Sequence, residues 1–499
     1  MKKLVLFVFL SLLLVNCSSL HQSVPKRETA SVEEDKLGPS TDIPPYRTTS
    51  FGKNDMRIIN NGTAALYQRV DMIRRAKRSL ELEYFIFNPD SAGRIIVTEL
   101  IKAVKRGVAV RVLVDKSAAV FVLDESYAKI FRDNSIQLRY YNPASIFRIS
   151  SVQFRNHRKL IIRDNEEAIT GGRNIADEYF NLSTTFNFLD RDVWVKGDIV
   201  PAMHETFERY WVSDIIEVPR FLNIKKANDS EKKKYQEAVD KMAFTKEDEH
   251  KLDFIMSYGE QALNQNNVHA CPEATLGTDR EGASFLERIH SKDYKANYRL
   301  LRKEIAKWIE NNVQHEIVVD TPYFLIDPNS EDVLTKLLSQ NKKVTILTNS
   351  LASTDAAYVS TVFNSSVTKY TKNPNFSAYT YKGKFSDESE LYSDEVRRSD
   401  WGTHSKTIVF NDDSFMIGTF NIDNRSSFYN TEMAIFCSGS PELTQDIRSN
   451  ISARMNMSYH LNSEGVPDDG TPLLEGNSDQ KKRLYYFLKV PSSILQFLL

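Results

Sequence analysis

Two short stretches set a histidine and a lysine two residues apart: His157-Arg-Lys159-Leu-Ile-Ile-Arg-Asp164 and His404-Ser-Lys406-Thr-Ile-Val-Phe-Asn411. The first carries Asp164 seven positions after its histidine; the second has Asn411 there, with Asp412 following. Asn174 and Asn421 each fall 17 positions after their histidine (157 to 174, 404 to 421), behind Gly171-Gly-Arg and Gly418-Thr-Phe. The residues around Ile161 and Ile408 alternate as in a strand, which predicts that His and Lys share a face about 6 to 7 Å apart. An imidazole beside a fixed cation suits a phosphate. The ammonium neutralises phosphoryl oxygens, and the imidazole attacks phosphorus or donates a proton. One such pair on a strand is ordinarily a surface feature; two copies with the same downstream asparagine are not. The histidines lack the clustered spacing of a zinc site, and this chemistry requires no metal-bound water, so no metal or other cofactor is expected.

The elements that must position these residues also occur twice. Gly62 to Ala76 has helical spacing, Ser79 to Phe87 alternates as a strand, Arg94 to Lys105 is helical and Val108 to Asp115 is a strand. The order recurs as a helix from Leu300 to Asn311, a strand from Glu316 to Leu325, a helix from Val333 to Leu338 and a strand from Val344 to Asn349. Tyr84 matches Tyr323 at a shift of 239 and His157 matches His404 at 247, so the chain reads as an internal duplication of α/β units with right-handed crossovers. Each half supplies one histidine, which puts the active site at the interface between halves.

The 499 residues are 41% hydrophobic and 26% charged with a net charge of −1, an ordinary globular composition with no global pull toward nucleic acid or anionic lipid. Met1-Lys-Lys3 and the apolar run Leu4 to Val15 resemble a secretory signal, too short to span a membrane. Leu14-Val-Asn-Cys17 resembles a bacterial lipobox that would lipidate Cys17, although Asn16 departs from the usual small residue; an ordinary cleaved signal or an uncleaved anchor is the alternative. Ser18 does not favour inner-membrane retention, so the expected location is the periplasmic side of a bacterial envelope, on the outer membrane rather than the inner. This reading divides the chain into a leader (1–17), a tether (18–54), a first domain (55–220), a charged, solvated helical insertion (221–280), a second domain (281–463) and a tail (464–499). The tail sets Lys481-Lys-Arg483 beside apolar and aromatic residues, which suits either a membrane interface or packing onto the body. Cys271 and Cys437 either pair in an oxidising compartment or remain separate thiols.

The paired motif resembles the phospholipase D superfamily. Further matches are Gly171 to Phe180, Asp190-Arg-Asp192, Phe207 to Trp211, Thr321 to Phe324, Thr348 to Asp355 and Asn421 to Ser426; together they resemble the bacterial cardiolipin synthase branch. The resemblance covers about Ile58 to Tyr459 and implies two phospholipase D-like α/β domains, each a mixed central sheet flanked by helices. It also implies catalytic roles for His157, Lys159, His404 and Lys406, and for Glu432, where the family has an acid that orients its histidine. In the first half Asp190 or Asp192 is the corresponding candidate, and Asp192 fits the strand-like Asp192-Val-Trp-Val195 better. Asn174, Asn421 and Thr419, where the family often has serine, are expected at the substrate with Asp192. Asp164 belongs to the motif, but its distance from Lys159 favours a structural role. Glu83 resembles a position near the site.

The mechanism implied is two displacements. His157 attacks phosphorus to form a phosphatidyl-histidine, and His404 protonates the leaving alcohol and then activates the incoming one. With phosphatidylglycerol as acceptor the product is cardiolipin; with water it is phosphatidic acid. The expected partners are therefore phospholipids (phosphatidylglycerol, with phosphatidylethanolamine as a further candidate substrate) and a membrane, and not nucleic acid, which favours basic surfaces. A superfamily nuclease and a non-catalytic lipid-binding lipoprotein are the other readings.

Overall fold

The computed structural model describes residues 50–117, 120–142, 154–220, 222–265, 267–282, 298–385, 389–474, 477 and 479–488, all within one compact unit spanning 43–499. The leader, Cys17 and nearly all of the tether lie outside the described residues, as does the apolar end 489–499.

The chain opens with β1 (Ser50–Phe51), β2 (Asn54–Ile59), α1 (Gly62–Arg75), β3 (Ser79–Tyr84), α2 (Ser91–Lys105) and β4 (Ala109–Asp115). It continues through α3 (Glu125–Asp133), β5 (Gln137–Tyr141), β6 (Leu160–Arg163), β7 (Glu167–Gly171), β8 (Phe186–Leu189), β9 (Asp192–Gly197), α4 (Val200–Trp211) and β10 (Ile216–Glu217). The intervening segment holds α5 (Asp229–Met242), α6 (Lys246–Leu263), β11 (His269–Cys271) and β12 (Glu273–Thr278). The repeat then runs α7 (Leu301–Asn312), β13 (Glu316–Asp320), α8 (Pro328–Ser339), β14 (Lys343–Asn349), α9 (Ala357–Ser366) and β15 (Phe376–Tyr381). It ends with α10 (Asp394–Arg398), β16 (Asp400–Thr403), β17 (Thr407–Phe410), β18 (Ser414–Gly418), α11 (Asn424–Phe428), β19 (Met433–Ser438), α12 (Pro441–Asn456), β20 (Ser458–His460) and α13 (Asp479–Leu488).

Two nine-stranded mixed sheets result, ordered β10-β5-β4-β3-β6-β7-β9-β2-β11 and β1-β12-β19-β18-β17-β13-β14-β15-β20. In each, the strand–helix–strand units give parallel neighbours (β3-β4-β5, β13-β14-β15), and the motif strands β6 and β17 run antiparallel beside them. The edge strands are exchanged: β1, from the start of the first half, closes the second sheet, and β11, just before the second half, closes the first. The inner faces of both sheets share one apolar core, in which Ile58, Leu160 and Val193 meet Val409, Ile417 and Ile435. Cys271 on β11 is disulfide-bonded to Cys437 on β19.

Several boundaries differ from the sequence reading. The strand expected through Phe87 stops at Tyr84, and the one expected through Leu325 stops at Asp320, two residues before Pro322, which has no N–H to give a ladder. The insertion is also less solvated than its charge suggests: Ile255, Tyr258, Ala262 and Leu263 of α6 are buried and pack over α1 and α2. In the tail, α13 packs on α9 with Tyr485 buried. Among the described residues, no helix is long and apolar enough to cross a membrane.

Candidate active site

The histidine–lysine pairs lie not within strands but in the residues leading into β6 and β17. Each lead-in is held by the opposite half. The His157 N–H donates to the Thr431 carbonyl at 3.0 Å, and the His404 N–H donates to the Leu189 carbonyl at 2.8 Å. In both cases the next residue is an acid. Glu432 and Asp190 are thereby delivered to the ring of the other half's histidine. Nδ1 of His157 stands 3.0 Å from Glu432 Oε2 and 3.1 Å from the Thr419 carbonyl. Nδ1 of His404 stands 2.6 Å from Asp190 Oδ2.

This crosswise arrangement revises two expectations. The resemblance associates Glu432 with the histidine of its own half, His404, but its carboxylate meets His157. The partner favoured in the first half, Asp192, is not at a histidine or at the substrate side of the site; it pairs with Arg69 at 2.9 Å and Arg173 at 3.3 Å. Asp190 takes the place beside His404 because it lies just ahead of β9, in the stretch aligned with β16, where Leu189 pairs with Thr403. Gly172 permits the approach: a Cβ there would fall 2.0 Å from Asp190 Oδ1. At the matching place in the second half, Thr419 donates its hydroxyl to Glu432 and accepts from the Met433 N–H. Thr419 therefore supports the acid through its hydroxyl and contacts His157 through its carbonyl.

Both lysines are buried and each donates to the carbonyl of its own histidine at 2.6 Å. The surroundings then diverge. Nδ1 of His157 faces two acceptors, so it carries the proton and Nε2 keeps the lone pair. Nδ1 of His404 faces Asp190 and also Lys406 Nζ at 2.9 Å. Burial, then the neighbouring lysines, push His157 down to about 4 against the pull of Glu432. Burial and Lys406 push His404 down to about 3, with Asp190 opposing. Burial lowers Lys406 to about 8, and burial with Lys406 nearby lowers Lys159 well below the usual lysine range. Asp190 is held at about 2, since His404, Lys406 and Arg173 outweigh its burial. The influence of Lys406 on His157, and of Lys159 on His404, shows that the two motifs form one electrostatic unit.

Around this centre, Phe85 lies edge-on to His157 with ring centroids 5.3 Å apart, and Phe188 and Tyr179 pack on His404 at 4.8 and 5.2 Å. Asn174 accepts from the Ile86 N–H at 3.1 Å, which orients its amide. Asn421 is buried, with no partner for its Oδ1 among the described residues. Glu83 is buried against Arg158 and Asn156, behind the motif. Asp164, counted with the catalytic residues by its place in the motif, is elsewhere: it accepts the backbone N–H groups of Lys77, Arg78 and Ser79. Asn411 does the same for Gln314 and His315, and donates to the Asn312 carbonyl. Both residues occupy positive φ, 54° and 52°, and both pin the turn before the central strand. Sequence reasoning missed Ser426, which donates to Glu432 at 2.7 Å, and the Tyr323–Asp355 pair at 2.8 Å.

Known proteins resemble this chain over most of its length. The family model described as cardiolipin synthase, PLD-like domain, matches residues 70–211 and 309–455, more than half of the chain. An uncharacterized protein of Helicobacter pylori is 28% identical over 434 residues, covering 81% of this chain and 80% of its own length. Cardiolipin synthase C of Escherichia coli is 26% identical over 383 residues, covering 74% and 78%. The crystal structure of a phosphatidylserine synthase from Haemophilus influenzae shares the fold, with a TM-score of 0.61 at 14% identity, covering 89% of this chain and 95% of that one. Two matched repeats, two mixed sheets and a histidine pair between them lead to one assignment: this chain belongs to the cardiolipin synthase-like family of the phospholipase D superfamily.

Proposed function

We propose that the protein is a phosphatidyltransferase that joins two phosphatidylglycerol molecules into cardiolipin. The observation that carries this reading is the single site at which two His-x-Lys pairs, each completed by the other half's acid, stand in a chain matched in both halves by the cardiolipin synthase domain.

The phosphoryl oxygens lie among Lys159, Lys406, Asn174 and Asn421. The neutral Nε2 of His157, its Nδ1–H held by Glu432, attacks phosphorus. The bond from phosphorus to the headgroup oxygen breaks, and the departing glycerol takes a proton from the imidazolium form of His404, which the anionic phosphate and Asp190 favour against the burial and the Lys406 cation that keep the ring neutral in the free protein. A second phosphatidylglycerol then gives its terminal hydroxyl proton to His404. That oxygen attacks phosphorus, the P–N bond breaks, and His157 is regenerated. The lysines stabilise negative charge on the oxygens throughout. Asp190 holds His404 as it cycles between acid and base.

We place the protein at the periplasmic face of a bacterial envelope, anchored through Cys17. The signal-like start and the Cys271–Cys437 disulfide support this location. The test of function is to incubate pure protein with phosphatidylglycerol labelled in one acyl chain and separate the lipids. Labelled cardiolipin and released glycerol are expected, and neither from His157→Ala. Phosphatidic acid as the only product would make the protein a hydrolase. Loss of acyl labelling in Cys17→Ala is expected; retained labelling would refute the anchor.

A further inference from the structure

The helix layers of the two halves are built differently. In the first, α1 and α2 pack together and α6 lies across both. Leu66, Val70, Ile96 and Leu100 are accordingly fully buried. In the second, α7 and α8 make at most marginal contact with each other, and among the described residues no third helix covers them as α6 covers α1 and α2. Ile305, Leu334 and Leu337 keep 7%, 6% and 7% exposure, and Ala306, Ile309 and Val333 are half-buried.

Between these helices and the outer face of the second sheet lies a cavity of about 530 Å³. That falls within the roughly 300–1,000 Å³ of small-molecule sites. Val319, Ile346 and Ile408 form its floor, and Ile309 and Leu334 stand on its sides. The cavity is open to solvent on one side, so an apolar chain laid in it removes aliphatic wall area from water. Among the described residues the charged groups in the lining are Arg299, Arg302, Lys303 and Asp423, and the arginines are already engaged, Arg302 with Asp327 at 3.4 Å and Arg299 with the Tyr429 carbonyl at 2.6 Å. What remains for a ligand is the aliphatic wall, which matches a long apolar chain.

Residues adjacent in the chain reach the cavity and the histidine site. Phe420 and Ile422 line it, while Thr419 touches His157 through its carbonyl. Phe324 lines it too, while its neighbour Tyr323 bonds Asp355, a residue that acts on Lys406. The two loops are joined where the Leu325 N–H donates to the Ile422 carbonyl at 2.7 Å. We propose that this cavity holds one acyl chain of the phospholipid whose phosphate sits at the histidine pair. The proposal rests on the phosphatidyl-transfer reading and adds a chain-length requirement supplied by the second half alone.

The test uses phosphatidylglycerol carrying one pyrene-labelled acyl chain, bound in detergent solution to full-length His157→Ala protein so that no turnover occurs. Adding Ala306→Trp from α7, or separately Val333→Trp from α8, fills the cavity and should weaken binding about tenfold or more, as pocket occlusion commonly does. Thermal midpoints equal to or above the parent establish that the fold is kept. In the transfer assay, each Trp variant should raise KM more for long-chain than for short-chain phosphatidylglycerol. Undiminished probe binding in both folded Trp variants would overturn the proposal. So would a parent protein that binds the probe only after residues 489–499 are removed, since the chain's own apolar end would then be the occupant. Probe binding that the Trp variants abolish, in a protein that transfers no phosphatidyl group, would support the acyl site and refute the transfer reading.

Discussion

His157 and His404 occupy equivalent places in duplicated halves, yet the nitrogen that meets each carboxylate has different company. At His157 it meets only acceptors, Glu432 and the Thr419 carbonyl, with Ser426 and the Thr419 hydroxyl holding the acid. At His404 it meets Asp190 and the ammonium of Lys406. The first arrangement fixes one tautomer and leaves Nε2 a lone pair, as a nucleophile needs. The second sets a carboxylate that stabilises the imidazolium against a cation that disfavours it, which suits a group that must both give and take a proton. Duplication supplied two copies of one motif, and the residues packed around them give the two rings different surroundings.

The largest effects should come from the histidines themselves. Without His157 no covalent intermediate forms, whatever the leaving group. Without His404 the leaving alkoxide goes unprotonated, a loss of about 10² to 10⁴ in rate. A substrate with a nitrophenol leaving group should therefore restore the first step in His404→Ala but not in His157→Ala, and trapped phosphohistidine should map to His157. Label on His404 in the wild-type protein would reverse the assignment.

Next in size are the crossed acids. Glu432→Gln and Asp190→Asn should each lower kcat by roughly 10² to 10⁴, the scale seen when an orienting carboxylate is lost. Because the pairing is crosswise, the nitrophenol substrate should rescue Asp190→Asn, whose defect is in His404, and fail to rescue Glu432→Gln. Rescue of Glu432→Gln alone would mean that each acid serves the histidine of its own half.

That prediction marks where the sequence stopped being informative. The duplication, the two His-x-Lys pairs and the later asparagines repeat at fixed offsets, and offsets are visible in a string. Pairing across an interface is not: Asp190 lies nearer in sequence to His157, and Glu432 nearer to His404, than each does to the ring it meets. Alternation favoured Asp192 because it begins a strand, but its carboxylate is taken up by Arg69, buried on α1, while Asp190 lies outside the strand where alternation does not apply. The splayed α7 and α8 escaped notice for a similar reason. Both helices have ordinary apolar stripes, and what differs is the absence among the described residues of a covering helix like α6.

A smaller effect concerns pH. His157 is held down at about 4 by burial first and by Lys159 after it, so the acid limb of kcat/KM should lie well below the ordinary histidine value of about 6.5. Lys159→Met removes a cation that disfavours imidazolium. The limb should move up toward that ordinary value, alongside a fall in the maximum. An acid limb unmoved by Lys159→Met would mean that another group controls it.

The smallest effects belong to Asp164 and Asn411, where the motifs differ. Asp164 accepts three backbone N–H groups, which hold its carboxyl below the usual range despite burial. Its contribution to stability is thus complete above its unfolded value of about 3.9 and is lost as pH falls through the lower folded value. Asp164→Asn keeps an acceptor oxygen but turns an NH2 toward one of those donors, at a cost of about 1–3 kcal/mol, and it removes this acid-dependent loss. Asn411→Asp loses the donation to the Asn312 carbonyl and sets two acceptors against each other, at a similar cost. Neither residue touches His157 or His404, so kcat should stay within about twofold in both variants, a change equivalent to well under one tenfold step in barrier height. Denaturant melts beside turnover measurements separate the two quantities. A large gain in activity from Asn411→Asp would show that the motif acid acts in the chemistry and that the second half lacks it.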